Sequence, residues 1–489
     1  MRTRRTRSPQ ARGFAILLLA CAMLAAVAVA CGGSNEEEAT ATATAVATST
    51  AATGTSVATG TSVATGTAVA TGTSVATGTA VATGSPVATG TPSTQVCGPA
   101  ARQATLSPEQ SPGITDTEIL LGGEVILSGT NGAVYATLPK ATKAYFDYIN
   151  DTQGGVCGRK IVYKYEDNMD DGARGLEVTR RLVEQDHVFA MLGALSEIAH
   201  PATWEFLNER GVPDLLASAG GARFGADPCG HPWTIQMIPS YRIDGTFLGQ
   251  YISENFPGKT VAVLWENDTI GQDGFAGLKE TLDPSIKIVA EQSYEYSAVS
   301  IASQMAILAR SNADILILHS NLGFIAQALQ TAGRLDWHPK VFGPYITSDD
   351  LIFQFVSPKL IQGMLVRSAA KMASWKDTDA AVAQHFDIMS KYGGPAPSNF
   401  TIYSQILGEL AVEIFSRSCD NLTREGVMEA VESIKDWHSE LALDGVDISF
   451  SPTDHVAFQS GRFLEAKVDA NGKGYWEYFG PTTHFQGIQ

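Results

Sequence analysis

The residue types that most often perform catalysis or bind metals are present in this chain, but not at the spacings that those functions require. The sequence has no G-x-S-x-G nucleophile motif, no G-x-x-x-x-G-K-S/T phosphate loop and no H-E-x-x-H zinc motif. Its nine histidines include no H-x-x-x-H pair, and its six cysteines include no C-x-x-C pair. The sequence therefore predicts a protein without a metal, a cofactor or an enzymatic activity, with an exported hydrolase as a minor alternative.

Cys31 is the cysteine with the most informative surroundings. The start of the chain is rich in arginine, and the apolar, uncharged run 14–30 follows it. Small residues end that run directly before Cys31. This order is typical of a secretory signal, and a cysteine directly after it resembles the signal of bacterial lipoproteins. We therefore predict cleavage before Cys31, lipid attachment to its thiol, and an exported protein anchored on the outer face of the cell membrane. An uncleaved membrane helix and cleavage at Cys21 are the alternatives.

Four cysteines remain in the mature chain after the signal and its lipid-bearing thiol are set aside. Four thiols in an oxidising compartment are often joined in two disulfides, and they allow three connectivities. The prediction adopted is that Cys97 pairs with Cys157 and that Cys229 pairs with Cys419.

The charge balance excludes nucleic acid as a partner. The chain has 34 basic and 51 acidic residues and a net charge of −17, and loss of the five arginines of the signal changes this to −22. A chain this acidic repels phosphate groups and has no basic patch for anionic lipids. The acidic residues are spread along the sequence, which favours solubility of an exported protein.

Residues 31–112 precede the first region with a globular composition. From 39 to about 94 the chain is almost entirely Ala, Thr, Val, Gly and Ser, and a six-residue unit repeats from Gly54 to Thr89. One valine per unit buries too little apolar surface to offset the entropy of an ordered chain. We therefore expect a disordered tether over 31–112 that lets the following domain move above a membrane surface.

From residue 113 onwards, the apolar periods of strands and helices alternate. The alternation predicts parallel sheets with helices on both faces. The alternation of strands and helices starts a second time after Tyr241. The segment that begins at residue 113 is also too long for one typical hydrophobic core, so we expect two similar lobes. The predicted strands are 118–126, 160–165, 188–195, 214–219, 260–265, 286–292, 315–319 and 341–345, with helices between them, further helices at 380–391 and 401–417, and a strand-rich end over 456–478.

Several short connectors in this part of the chain have the sequence of a known family. They are PGITDTEI at 112–119, GGVCGRKI at 154–161, RLVEQD at 181–186, NERGVP at 208–213 and NLTREG at 421–426. Each motif is weak alone. Their order and spacing together resemble the leucine/isoleucine/valine-binding family of ABC-transporter substrate-binding lipoproteins, over about residues 113–480.

The resemblance implies a type I periplasmic-binding fold, an α/β architecture of two Rossmann-like lobes with parallel sheets, joined by three hinge crossings. It implies that the lobes close on a small ligand. A monomer would then deliver an amino acid, an amide or a related small acid to the permease subunits of an ABC importer. The expected boundaries are 113–238 with 370–462 for the first lobe, and 239–369 with 463–489 for the second. A ligand-sensing domain of a signalling system is the main alternative function.

The candidate ligand-binding residues follow strands, because ligands of open α/β sheets bind beyond the carboxyl ends of the strands. The resemblance implies that first-lobe hydroxyl and backbone N–H groups hold a ligand carboxylate and that second-lobe side chains hold its ammonium group. Helix capping and core packing are the alternative roles of these residues. The candidates are Tyr135, Ser196, Glu197, Ser218, Ala219 and Gly220 in the first lobe, and Asn321 and Tyr345 in the second.

The candidate residues depart from the pattern of amino-acid binders. Glu197 stands where the family has a hydroxyl for the ligand carboxylate, and a carboxylate there repels another unless Ser196 takes that role. Tyr345 stands where the family has the acid that balances the ammonium, and loss of that counter-charge is costly in a dry cleft. A plain α-amino acid is therefore disfavoured. A neutral amide, an aromatic or hydroxy acid, and an amine held by Glu197 all remain open.

Overall fold

The computed structural model describes residues 96–129 and 131–484. The predicted signal, Cys21, Cys31 and the tether up to residue 95 lie outside the described residues, so the prediction of a lipid anchor remains a prediction. Within the described ranges, no helix is both long enough and apolar enough to cross a membrane.

Strands and helices alternate through the described residues and are numbered in chain order. The strands are β1 (Glu118–Val125), β2 (Lys160–Asp167), β3 (Ala190–Leu192), β4 (Asp214–Ala217), β5 (Thr234–Gln236), β6 (Thr260–Glu266), β7 (Lys287–Tyr294), β8 (Ile315–His319), β9 (Lys340–Phe342), β10 (Leu365–Ser368), β11 (Ser460–Val468) and β12 (Gly474–His484). The α-helices are α1 (Pro99–Arg102), α2 (Gly132–Tyr135), α3 (Thr137–Thr152), α4 (Gly172–Glu184), α5 (His200–Glu209), α6 (Arg223–Ala226), α7 (Tyr241–Asn255), α8 (Thr269–Thr281), α9 (Ala302–Arg310), α10 (Leu322–Arg334), α11 (Ile352–Phe355), α12 (Pro358–Ile361), α13 (Ala380–Lys391), α14 (Asn399–Arg417) and α15 (Arg424–Glu432).

The first sheet has the strand order β2-β1-β3-β4-β5, and its strands are parallel. Helices α3, α13, α14 and α15 contribute buried side chains to one core of this sheet, and α4 and α5 form another cluster with β3. Strands covered in this way need no polar face, which explains their nearly continuous apolar sequences. This sheet and these helices are called lobe 1.

The second sheet has the strand order β12-β11-β10-β9-β8-β6-β7. Strands β6 to β10 are parallel, whereas β11 and β12 form an antiparallel hairpin at the edge. Every residue of β8 is buried. Alternate positions of its sequence pack with α9 and α10 or with α7 and α8, because successive side chains of a strand point to opposite faces. This sheet and these helices are called lobe 2.

The chain passes between the two sheets three times. It leaves lobe 1 after β5 through residues 237–240, returns to lobe 1 after β10 through 369–379, and enters β11 of lobe 2 through 433–459. The fold is therefore α/β with two lobes of mainly parallel sheet joined by three crossings, which confirms the predicted fold class. The antiparallel hairpin of β11 and β12 is the departure from a purely parallel second sheet.

Residues 96–112 are packed against lobe 1, so the prediction of a tether over 31–112 is wrong for this last part. Arg102, at the end of α1, is fully buried. Its Nε lies 2.9 Å from Glu425 Oε2, and its guanidinium also pairs with Glu432. Thr105 Oγ1 accepts a hydrogen bond of 2.8 Å from Trp233 Nε1. A buried ion pair and a buried tryptophan therefore fix this segment to the domain.

The predicted disulfide pairing is also wrong, although the four cysteines do form two disulfides. Cys97 is bonded to Cys229, and Cys157 is bonded to Cys419. The first bond joins the segment before α1 to the loop before β5, and Trp233 of that loop contacts Thr105 just after α1. The second joins the turn after α3 to the end of α14, because α3 and α14 pack side by side.

Several local predictions differ from the structure at turns. The predicted strand 341–345 ends at Phe342, and Tyr345 begins a short 3-10 turn. Pro344 explains this end, because proline has no N–H to donate to a neighbouring strand. The helix predicted between the first two strands is divided into α2 and α3. Short β5, short β10 and α15 were not predicted.

Candidate functional site

A cavity of about 150 Å³ lies between the two lobes. Its walls come from residues after β1, β2, β3 and β4 of lobe 1 and from residues at the ends of, or after, β6, β7, β8 and β9 of lobe 2. Helix α7, the crossing segments and α14 complete them. The cavity therefore occupies the place where the carboxyl ends of both parallel sheets face each other, which is where open α/β sheets bind ligands.

Six of the eight predicted ligand-binding residues line this cavity, namely Tyr135, Ser196, Glu197, Ser218, Asn321 and Tyr345. Ala219 and Gly220 lie outside the lining. Ala219 is fully buried, and its carbonyl accepts a hydrogen bond of 2.9 Å from Gln236 Nε2. Six of the predicted residues thus lie together at the cavity, and Ala219 and Gly220 do not line it.

Ser196 is bonded to a carboxylate of its own lobe. Its hydroxyl donates to Asp170 Oδ1 over 2.6 Å and accepts from the N–H groups of Ile198 and Ala199 over 3.0 and 2.7 Å. The accepted bonds satisfy N–H groups just before α5, which is the capping role considered in the sequence analysis. With one hydrogen to donate, this hydroxyl has already given it to Asp170.

Glu197 spans the cleft between the lobes. One carboxylate oxygen accepts from the backbone N–H of Gly220 in lobe 1, and Oε2 accepts from Thr269 Oγ1 of lobe 2 over 2.7 Å. Burial raises the pKa of Glu197, and the hydrogen bonds from Thr269 and Gly220 act in the opposite direction. The carboxylate of Glu197 therefore uses one donor from each lobe.

Gly220 permits the close approach of the two lobes at this point. A Cβ atom at position 220 would lie 2.7 Å from the Tyr345 hydroxyl and 2.7 Å from the Tyr241 ring. The rings of Tyr241 and Tyr345 are stacked with centroids 5.6 Å apart. The backbone N–H of Tyr345 donates to Asp244 Oδ2 over 3.2 Å. Glycine at position 220 thus leaves room for a pair of tyrosine rings at one wall of the cavity.

Ser218 contacts the long helix of the crossing segment. Its hydroxyl lies 2.7 Å from the hydroxyl of Tyr403 on α14. Tyr403 lines the same cavity, so this hydrogen bond joins the end of β4 to α14 at the cavity wall.

Asn321 holds a buried glutamate in lobe 2. Its Oδ1 caps α10 by accepting from Gly323 and Phe324 N–H groups, and its Nδ2 donates to Glu266 Oε2 over 2.9 Å. The hydroxyl of Tyr294 donates to the same oxygen over 2.8 Å. Glu266 is fully buried, and its other oxygen, Oε1, has no hydrogen-bond partner among the described residues.

Tyr296 forms a second link across the cleft. Its hydroxyl donates to Asp170 Oδ2 of lobe 1, and Asn131 Nδ2 donates to the Tyr296 hydroxyl over 3.1 Å. Asp170 thus accepts from Ser196 on its own lobe and from Tyr296 on the other. Together with the Glu197–Thr269 bond, this contact holds the two lobes against each other around the cavity.

The cavity has more acidic than basic side chains. Asp170, Glu197, Asp244, Glu266 and Asp268 line it, with Arg367 as its basic residue. Burial, followed by the nearby Glu266 carboxylate, raises the pKa of Asp268 to about 8. Burial also raises the pKa of Glu266 and raises that of Asp244 to about 6. These shifts have a common cause, which is that carboxylates share a dry space with few cations.

Arg367 lies at the crossing end of the cavity, where its Nη2 is bonded to the protein and its buried Nε has no hydrogen-bond partner among the described residues. Its Nη2 donates to the carbonyl of Gly461 over 3.0 Å and to Thr483 Oγ1 over 3.0 Å, and its guanidinium lies 3.3 Å from the centroid of the Phe247 ring. Burial lowers the pKa of Arg367 to about 10, and Asp244 acts in the opposite direction. Arg367 therefore remains charged at neutral pH.

The prediction missed several lining residues. Asp170 follows β2, and Glu266 and Asp268 end or follow β6, so the rule that placed the other candidates at strand ends would have found them. Phe400 and Tyr403 lie on α14. No local signal identifies them, because their place at the cavity depends on how the crossing segments pack. Within residues 96–129 and 131–484, no three His, Cys, Asp or Glu side chains are arranged to hold a metal ion.

The fold and the cavity define a class of protein. Two parallel-sheet lobes, joined by three crossings and hydrogen-bonded to each other around an internal cavity, are the architecture of proteins that enclose a small ligand between hinged lobes. The chain belongs to the periplasmic binding protein family, since the family model described as "Periplasmic binding protein" matches residues 118–473. This confirms the family-level resemblance seen in the connectors.

The relatives are distant in sequence. One is "Leu/Ile/Val-binding protein homolog 1" of Brucella suis biovar 1, 21% identical over 44% of this chain and 58% of that protein. Another is "Amino acid binding protein" of Pseudomonas aeruginosa, 22% identical over 51% of this chain and 66% of that protein. The matched segment thus spans about three fifths of these curated relatives.

Solved structures share the fold at low sequence identity. A branched chain amino acid ABC transporter protein from Thermus thermophilus with bound valine has a TM-score of 0.66 and 18% identity, covering 75% of this chain and 98% of that chain. A solute binding protein of an ABC transporter from Rhodopseudomonas palustris BisB5, in complex with 3,4-dihydroxy benzoic acid, has a TM-score of 0.64 and 18% identity. The match covers 75% of this chain and 97% of that chain. Proteins of this fold thus hold different ligands.

Proposed function

We propose that this protein is an exported solute-binding protein that captures one small polar solute between its lobes and delivers it unchanged to an ABC importer. The cavity between the lobes is the observation that carries this proposal. It is lined from both lobes and is bordered by hydrogen bonds that cross the cleft, Glu197 with Thr269 and Asp170 with Tyr296. A ligand in this place would contact both lobes at once and so favour the closed arrangement.

Delivery to a membrane importer is supported by the family and by the N-terminal sequence. The names of similar structures include ABC transporter proteins, and the signal-like segment before Cys31 would place a lipid on the first mature residue. A lipid-anchored protein on the outer face of the membrane stays close to permease subunits. A sensor domain that reports the ligand to a signalling partner uses the same binding step, and a neighbouring histidine kinase gene in place of permease and ATPase genes would favour it.

Ligand screening tests the binding function. The purified protein is heated with panels of amino acids, amides, aromatic acids and amines, and a ligand present at 100 times its dissociation constant should stabilise it by about 2.7 kcal/mol. Tyr345→Ala and Ser218→Ala should each lower the affinity for the most stabilising compound without unfolding the protein. Tyr475→Ala, which changes an exposed tyrosine of β12, is the matched control and should bind normally. The proposal is overturned if no compound stabilises the protein, or if the compound is recovered as a chemical product.

A further inference from the structure

We propose that the cavity selects a small organic cation (an amine, a guanidinium or a quaternary ammonium compound without a carboxylate) over neutral and acidic solutes. This inference rests on the proposed solute-binding function and names the chemical class of the solute. Its basis is an excess of carboxylates in the cavity, the prior use of three donors that lie beside these carboxylates, and aromatic walls next to them.

The carboxylates of the cavity lack cationic partners. Asp170, Glu197, Glu266 and Asp268 line it, yet within residues 96–129 and 131–484 none of the four makes an ion pair with Lys, Arg or His. Buried carboxylates are normally paired with a cation, because an uncompensated charge is costly away from water. A positively charged ligand would supply the missing counter-charge.

One carboxylate oxygen of a residue that lines the cavity has no hydrogen-bond partner among the described residues. Glu266 is fully buried and lines the cavity, and its Oε2 already accepts from Asn321 and Tyr294. Its Oε1 is buried without a hydrogen-bond partner among the described residues. A buried acceptor of this kind is expensive to leave unsatisfied, and an N–H group of an ammonium or guanidinium ligand would satisfy it.

Three donors beside the Glu197 and Asp170 carboxylates are already used. The N–H of Gly220 and the hydroxyl of Thr269 both donate to Glu197, so both already have a carboxylate of the protein as their acceptor. The hydroxyl of Ser196 donates to Asp170. A ligand carboxylate beside Glu197 would meet like charge and no free donor at these three groups, which disfavours amino acids and acids there.

Arg367 does not reverse this preference. It is the basic residue of the lining, but its Nη2 bonds to Gly461 and Thr483, and Asp244 lies close enough to stabilise its charge. With Arg367 balanced by Asp244, the four remaining carboxylates still make no ion pair, although the charge of His200 acts against burial, which raises the pKa of Glu197. The excess of negative charge is therefore not removed by the protein's own side chains.

Aromatic rings stand beside the carboxylates. Tyr135 lines the cavity, and its hydroxyl lies near all four carboxylates: burial raises the pKa of Tyr135 first, and Asp170, Glu266, Glu197 and Asp268 raise it further. The stacked rings of Tyr241 and Tyr345 form a neighbouring wall. Tyrosine faces attract ammonium and guanidinium groups, so the aromatic walls favour the same ligand charge as the carboxylates.

An organic cation fits these residues better than a metal ion does. Within the described residues no three carboxylate, histidine or cysteine side chains converge for metal coordination. The carboxylates instead accept hydrogen bonds from side chains and backbone. A cation that carries several N–H donors, or methyl groups against tyrosine faces, suits such acceptors and rings.

The experiment compares solutes that differ only in charge. Calorimetric titration of the purified protein uses tyramine, its alcohol tyrosol and its acid analogue 4-hydroxyphenylacetate, together with putrescine, 1,4-butanediol and succinate. We expect the amine of at least one series to bind at least 30-fold more tightly than its alcohol, and we expect no binding of the acid. The proposal is overturned if an alcohol or acid binds as tightly as its amine, or if neutral or acidic compounds bind in the cleft and no amine does.

Matched variants locate the effect. Glu266→Gln keeps the shape of the side chain and its acceptor for Asn321 but removes the charge. We expect this variant to bind the amine at least tenfold more weakly. Glu291→Gln changes an exposed acid on β7 of the same lobe and should leave amine binding unchanged. Equal amine affinity in both variants would contradict the proposal.

The two proposals fail in different ways. Tight, one-to-one binding of a neutral or acidic solute in the cleft overturns the cation preference and leaves the solute-binding function standing. Absence of binding by compounds of every charge overturns both.

Discussion

The hydroxyl of Thr269, at the start of α8 in lobe 2, donates a hydrogen bond of 2.7 Å to Glu197 Oε2 in lobe 1. This contact joins the two sheets at the edge of the cavity, directly beside the N–H of Gly220 that bonds the other oxygen of the same carboxylate. The Glu197 carboxylate therefore links the lobes through one hydrogen bond on each side of the cleft.

Removal of that hydroxyl should weaken closure. Thr269→Val keeps the size of the side chain but cannot donate to Glu197, and a hydrogen bond to a charged group contributes about 1.5–3 kcal/mol. We therefore expect the affinity for the best solute to fall by about tenfold or more, measured by calorimetric titration. Thr117→Val, at an exposed position just before β1, is the control. Unchanged affinity in Thr269→Val would show that this bond does not support the closed state.

Cation binding should strengthen as the pH rises. Asp268, whose pKa is raised to about 8, faces the carboxylates of Glu266 and Glu197 and the N–H groups of Gly271 and Ile270. The ionised form of Asp268 attracts a cation and the protonated form does not, so bound cation favours ionisation. Because the ionised fraction rises from about a tenth to about nine tenths across one pH unit on each side of 8, affinity should rise by roughly tenfold from pH 7 to pH 9.

The trimethylammonium form of 2-phenylethylamine is the suitable probe for this pH series, because its positive charge does not titrate and it has no other ionisable group. Calorimetric titration at each pH gives the dissociation constant. Affinity that is constant or that falls over this range would contradict the assignment of cation binding to these carboxylates.

The disulfide connectivity can be read directly. Proteolysis of the unreduced protein followed by mass spectrometry should give linked peptides that contain Cys97 with Cys229 and Cys157 with Cys419. Both bonds close long loops, so Cys157→Ser with Cys419→Ser should lower the free energy of unfolding by about 2–5 kcal/mol. A peptide that links Cys97 with Cys157 would contradict the structure.

The buried ion pairs of Arg102 should hold residues 96–112 in the folded domain. Arg102→Met removes one partner of a fully buried ion pair and leaves the Glu432 carboxylate without its cation. We expect a loss of about 3–5 kcal/mol in the free energy of unfolding, measured by urea denaturation. Arg310→Met, at an exposed position of α9, should change it little. Equal stability of the two variants would mean that residues 96–112 do not contribute to the core.

The sequence predicted the strands that are buried on both faces. Strand β8 was predicted at its observed bounds, because five apolar or strand-forming residues stand between two turns. Ser196, Glu197 and Asn321 were placed at the cavity, because each follows a strand whose end lies at the shared edge of the sheet.

The features that were missed depend on contacts between distant segments. Strand β10 is short and lies next to partners from elsewhere in the chain, so its own sequence has no clear period. The pairing of Cys157 with Cys419 depends on the packing of α3 against α14, which spacing does not show. Arg102 was included in the tether because its neutralising acids, Glu425 and Glu432, lie more than 300 residues later in the chain.

The central claim is that one small solute is enclosed between the lobes and leaves unchanged. Native mass spectrometry of the purified protein, incubated with the most stabilising compound, tests it most directly. We expect a complex of one chain with one molecule of the compound, whose mass is unchanged. This complex should be lost in Tyr345→Ala and retained in Tyr475→Ala. Recovery of the compound in a chemically altered form, or equal binding by both variants, would contradict it.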